Sequence, residues 1–174
     1  MSRRLFSVPS FTPTAVADTT AMTNATYMAL GAGSTTTALM VTEIFVQGLG
    51  TSSTNINNNV WARDSTLGTT PTALAAPNSD GPMPGGLASA LTTVPLSFVA
   101  AGTGPSRSAV TTAARLMLSI NALGGIARWK PADLSEAWWI MGQTASISES
   151  TLSASTAAGT TSAAQSASIM YEPL

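Results

Sequence analysis

The chain has 174 residues, of which only 9% are charged, against about 25% in ordinary soluble domains. Its net charge is −1 and it contains no His and no Cys. That balance excludes a basic nucleic-acid footprint, and the missing residue types exclude disulfides, Ser-His-Asp or Cys-His nucleophiles, and zinc or haem sites built on those ligands. A surface with so few charges is weakly solvated and little repelled from other proteins, so it is best understood as covered by partners.

The chain opens on "MSRRLFSVPSF". The apolar run after the Arg3-Arg4 doublet is broken at once by Ser7, Pro9 and Ser10, which is not the pattern of a secretion signal. Residues 1–12 read as an N-terminal arm, with "LFSV" (5–8) as a brief strand bounded by Pro9. Arg3 and Arg4 suit acids on a partner, and Leu5 and Phe6 suit burial against it. No window holds the roughly 20 apolar residues of a membrane helix.

Short runs rich in Val, Ile, Thr and aromatics then alternate with Gly, Pro, Asn and Ser clusters, the signature of an all-β domain. "ATYMAL" (25–30) is a strand ended by Gly-Ala-Gly. "TTALMVTEIFVQG" (36–48) is the strongest strand, and strict alternation puts Val41, Glu43 and Phe45 on one face against Met40, Thr42, Ile44 and Val46 on the other. Apolar groups on both faces place it between packed layers. "INNNVWARD" (56–64) follows.

Residues 65–90 hold clustered prolines and glycines without a sustained period and read as one long loop, a length that suits a functional or partner-binding segment. "VPLSFVAA" (94–101) resumes the strands. "AARLMLSINAL" (113–123) alternates with Leu116, Leu118 and Ile120 inward and Arg115, Met117 and Ser119 outward; a helix over 109–120 is the weaker rival, because Thr111, Thr112, Ser119 and Ile120 favour extended structure.

The stretch "GGIARWKPADLSEAWWIMG" (124–142) concentrates three of the four tryptophans. It reads as a turn, a strand "IARWK", a loop "PADLSE" and a strand "AWWIMG"; a helix starting at Pro131 is the rival. Alternation separates Arg128 from Trp129, and Trp138 from Trp139, so one of each pair fills a core while the other faces outward. Trp and Arg are also frequent interface anchors, which makes Arg128, Trp129, Trp138 and Trp139 candidate contact residues. Asp133 and Glu136, the acids nearest each other here, read as ordinary loop carboxylates. No catalytic residue, metal site or cofactor site is assigned, and the chain reads as a non-enzyme.

The C-terminal third is almost pure Ser, Ala and Thr, with "ASISESTL" (145–152) and "AQSASIMYE" (164–172) as two period-two stretches. They are expected to pair as a terminal hairpin. The whole chain, 1–174, then forms a single β-sandwich or jelly roll of eight to ten short strands.

This texture resembles the small virion proteins of tailed bacteriophages, above all capsid decoration (cement) proteins. The resemblance rests on "LFSVPSFTPT", "TTALMVTEIFVQG", the central Pro/Gly loop, "NALGGIARWKP" and "SASIMYEPL". It implies a jelly-roll subunit, usually a homotrimer, made in the host cytoplasm and bound to the major capsid protein on the capsid exterior. Neither nucleic acid nor membrane is an expected partner. A head fibre, tail or baseplate component, or a carbohydrate-binding adhesion module, is the alternative.

Overall fold

The computed structural model describes residues 6–12, 26–32, 38–51, 54–64, 72–73, 93–97, 114–141, 151–156 and 164–173. These residues are all-β: no helix occurs among them, and every strand pairing is antiparallel. The strands are β1 (Phe6–Thr12), β2 (Thr26–Ala32), β3 (Ala38–Gly48), β4 (Ile56–Asp64), β5 (Thr72–Ala73), β6 (Thr93–Ser97), β7 (Ala114–Asn121), β8 (Ile126–Trp129), β9 (Trp138–Met141), β10 (Thr151–Thr156) and β11 (Gln165–Pro173). One sheet has the order β1-β11-β3-β8, with β9 also on β3; the other runs β5-β6-β2-β10-β4-β7.

Alternation explains most of the core. Ala167, Ile169 and Tyr171 of β11 join Leu39, Val41, Ile44 and Val46 of β3 in one buried cluster. Tyr27, Met28, Leu30, Trp61 and Ile120 from the other sheet enter the same cluster. On β7, Leu116 and Leu118 pack against it while Arg115, Met117 and Ser119 are exposed, as the sequence pattern requires.

On β3 the strict alternation fails, and a bulge is the reason. Tyr171 pairs with Val41 but Met170 pairs with Glu43, leaving Thr42 as an extra residue. One added residue reverses the facing of everything beyond it. Leu39 and Val41 are therefore buried together with Ile44 and Val46, instead of lying on opposite faces from them. The Thr42 hydroxyl donates to the Met170 carbonyl at 3.2 Å and closes the irregularity.

The expected terminal hairpin does not form. β10 starts at Thr151, near the end of the stretch read as its strand, and lies between β2 and β4. β11 lies between β1 and β3 in the other sheet. Each segment is a central strand with two partners, and neither pairs with the other. Sequence adjacency favours a hairpin, but satisfying the backbone donors and acceptors of both edges of each strand outweighs it.

The N-terminal arm also changes character. Its residues Phe6–Thr12 pair in full register with β11, straight through Pro9, which sits opposite Ser168. Pro lacks a ladder donor, and it is tolerated because β1 is the edge strand of its sheet. Within the expected long loop, Thr72–Ala73 form the short β5 on β6; residues 65–71 and 74–90 lie outside the described residues, as do 109–113.

Candidate contact surface

The Trp-rich stretch is built on an interruption in the β3 ladder. β8 pairs with Ile44–Gln47 and β9 pairs with Ala38–Val41 on the same edge of β3. Thr42 and Glu43 face the gap between them, where residues 130–137 leave the sheet and return. The rival helix from Pro131 is absent: the segment is turns and bends.

Register fixes the tryptophans at the foot of this loop. Trp129 pairs with Ile44 and Trp138 with Val41, both of which are core positions. Both rings are half-buried against the hydrophobic cluster and stack on each other, with centroids 4.5 Å apart and an interplanar angle of 28°. The stack closes the loop across the gap in the ladder. Trp139 pairs with Met40 in the backbone register, and its side chain lies outside the described residues.

Above the stack the loop is held by its own polar groups. The Asp133 carboxylate accepts from the Ser135 amide at 2.7 Å and from the Ser135 hydroxyl. These hydrogen bonds hold its pKa below the usual carboxylate value. The Glu136 carboxylate accepts from the Ala132 amide at 3.1 Å, and the Glu136 amide donates to the Asp133 carbonyl at 3.2 Å. Both acids are thus engaged in shaping the loop. Residues 132–136 are all exposed, and Leu134 is the large apolar side chain they present.

Arg128 lies on the opposite face of β8 from Trp129, exposed and paired in register with Phe45. Its guanidinium contacts the Glu43 carboxylate at 2.6 Å, and that hydrogen bond, with the carboxylate charge, raises the Arg128 pKa. Arg128 and Trp129 do not share a face, so each belongs to a different environment. The fourth tryptophan, Trp61, is fully buried. Among the proposed arm residues, Phe6 begins β1 opposite Tyr171, while Arg3, Arg4 and Leu5 lie outside the described residues.

What this arrangement offers is a shaped, pre-ordered surface. Among the described residues no group of three or more His, Cys, Asp or Glu side chains could hold a metal ion. Several large apolar residues are exposed that sequence reading had not marked as contacts: Leu49, Ile56, Met117, Leu123, Ile126 and Leu134. Of these only Met117 had been placed outward. For all but Leu134 the available signal is the absence of any charged residue from 44 to 62 and from 116 to 127; Leu134, between Asp133 and Glu136, carries none. No protein-family model matches the chain, and no curated protein sequence matches it.

Proposed function

We propose that this chain is a structural virion protein, a decoration subunit that binds the outside of a bacteriophage capsid and stabilises it without turnover. The observation that carries the reading is strand order. Setting aside β5, β6 and β9, the orders β1-β11-β3-β8 and β2-β10-β4-β7 match those expected of a jelly roll, and this supports reading the chain as two interlocked Greek keys. Jelly rolls serve in viral shells and in lectins, and fold alone does not choose between them. The 9% charge content favours the shell, because a protein standing alone in solution gains from repulsion and a shell component gains from its loss.

A cement subunit needs many modest contacts repeated over a closed particle, since linked sites raise the effective concentration of each further contact. Self-association into a homotrimer would supply that multiplicity. The pre-ordered loop at residues 130–137 adds a contact whose ordering cost is already met on folding.

The test uses shells of the major capsid protein with and without the chain. Decorated shells should rupture at higher temperature and stronger osmotic shock than bare ones. Equal robustness, together with binding to host glycans, would replace the cement reading with an adhesion module.

A further inference from the structure

Two of the three buried polar residues among those described, Asn57 and Asn59, lie on β4. Asn57, Asn59 and Trp61 alternate along the strand, so their side chains share one face, and all three are fully buried. β7 sets only apolar residues beside them: Ile120 pairs with Asn57, Leu118 with Asn59 and Leu116 with Trp61. Asn59 Oδ1 accepts from the Tyr27 hydroxyl, but Asn59 Nδ2 and Trp61 Nε1 have no hydrogen-bond partner among the described residues.

Two such donors at successive inward positions are unusual in a packed core. A buried N–H without an acceptor bears its whole desolvation penalty, and nearly all such groups in folded proteins are met by protein or by ordered water. The ladder carbonyls around β4 do not serve, because the strand is paired on both sides, to β10 and β7, and those groups point along the sheet. The two side chains stand out of that plane. Residues i and i+2 are about 7 Å apart along a strand. Two N–H···O bonds of about 2.9 Å to one shared oxygen atom cover most of that span.

We propose that Asn59 and Trp61 hold a buried water molecule in the core between the sheets, a site independent of any capsid contact. The water accepts from Asn59 Nδ2 and Trp61 Nε1 with its two lone pairs. It gives a proton to the Tyr27 oxygen, whose own proton goes to Asn59 Oδ1. That makes about three hydrogen bonds, the usual number for an internal water. Chemistry selects the ligand. The two N–H groups need an acceptor and the phenol oxygen takes a donor, and a halide or other simple anion supplies no proton. Tyr27, Asn59 and the water then close a ring to which Trp61 is joined, so β2 and β4 are linked across β10 by more than a single bond.

The experiment is NMR on the isotope-labelled full chain, with circular dichroism as the fold control for variants. Water-selective NOE and ROE transfer to the Trp61 indole N–H should give cross-peaks of opposite sign, which marks a long-lived bound water rather than proton exchange. Tyr27→Phe should keep those cross-peaks, because both N–H donors remain; this separates a water from relay through the phenol proton. Relaxation dispersion of the water oxygen should show one long-lived water fewer in Asn59→Leu than in the wild type, with the β spectrum kept. A wild-type Trp61 indole without a water cross-peak would overturn the proposal, and that arm needs no variant to fold. So would cross-peaks that vanish in a folded Tyr27→Phe, or an unchanged dispersion in a folded Asn59→Leu.

Discussion

The Tyr27 hydroxyl donates to Asn59 Oδ1 at 2.7 Å, joining two strands that are not neighbours. β2 and β4 are separated by β10, whose register here supplies Ala154, Ser155 and Thr156. A bulge makes the reach feasible: Met28 pairs with Ala154 and Thr26 with Ser155, leaving Tyr27 as the extra residue. The bond ties three strands into one unit in the interior, where both side chains are buried.

Tyr27→Phe should therefore destabilise the fold by about 1–3 kcal/mol, because it strands a buried acceptor. Asn59 Nδ2 already has no hydrogen-bond partner among the described residues. Adding Asn59→Leu to Tyr27→Phe should then recover part of the loss, since an apolar pair leaves nothing unsatisfied. Chemical denaturation of the two single variants and the double variant checks this; a strictly additive double variant would contradict it.

Two glycines, one ending β3 and one in the turn between β7 and β8, should fail for different reasons. A Cβ at Gly48 would stand 2.4 Å from the Asn121 carbonyl oxygen and 2.5 Å from that of Ala122, so both backbones would have to part. Gly124 has open space around that position but a φ of +72°. Gly124→Ala should cost about 1–2 kcal/mol, with Gly124→Asn closer to wild type because Asn tolerates the left-handed region. Gly48→Ala and Gly48→Asn should both lower the melting temperature, with no rescue by Asn. Thermal melts of the four variants separate torsion from space.

The tryptophans should rank by burial. Trp61→Ala should cost about 3–5 kcal/mol, as expected for a fully buried indole. Trp129→Ala and Trp138→Ala should each cost less, and their double variant should show a coupling of about 0.5–1.5 kcal/mol from the lost stack. Independent effects of the two would mean that the stacked rings do not support each other.

The loop at residues 130–137 should loosen in acid. Asp133 has a lowered pKa in the folded chain, so its contribution is present above the unfolded carboxylate value and is lost as pH falls through the lowered one. Carboxyl titration by NMR should give Asp133 a midpoint below the ordinary Asp value of about 3.9, with the Ser135 amide shift following it. Asp133→Asn should abolish that amide titration. An ordinary or raised midpoint would contradict the hydrogen-bonded loop.

Read alone, the sequence determined the class of structure and the place of most strands. The run "INNNVWARD" (56–64) coincides with β4 and the period-two run "AARLMLSINAL" (113–123) contains β7, and Leu116, Leu118 and Ile120 face inward as their spacing demands. Alternation is a local property of extended backbone, so it is written in consecutive residues. The sequence also placed a loop between "IARW" and "WWIM", because Pro131 and the polar run after it suit neither strand.

Only the tertiary structure decided which strands meet. β10 and β11 are separated by a short connection and have alike Ser/Ala-rich sequences, yet they belong to different sheets. Partner choice is settled by the summed pairing and burial of whole strands, to which their own small side chains contribute little preference. The Thr42 bulge is invisible for the same reason: it pays off only through Val41 and Ile44 entering one core from opposite sides of an irregularity. The Trp129–Trp138 stack arises likewise, from residues brought together by long-range pairing of β3 with β8 and β9. Local periodicity carries the first kind of information, and contacts between distant segments carry the second.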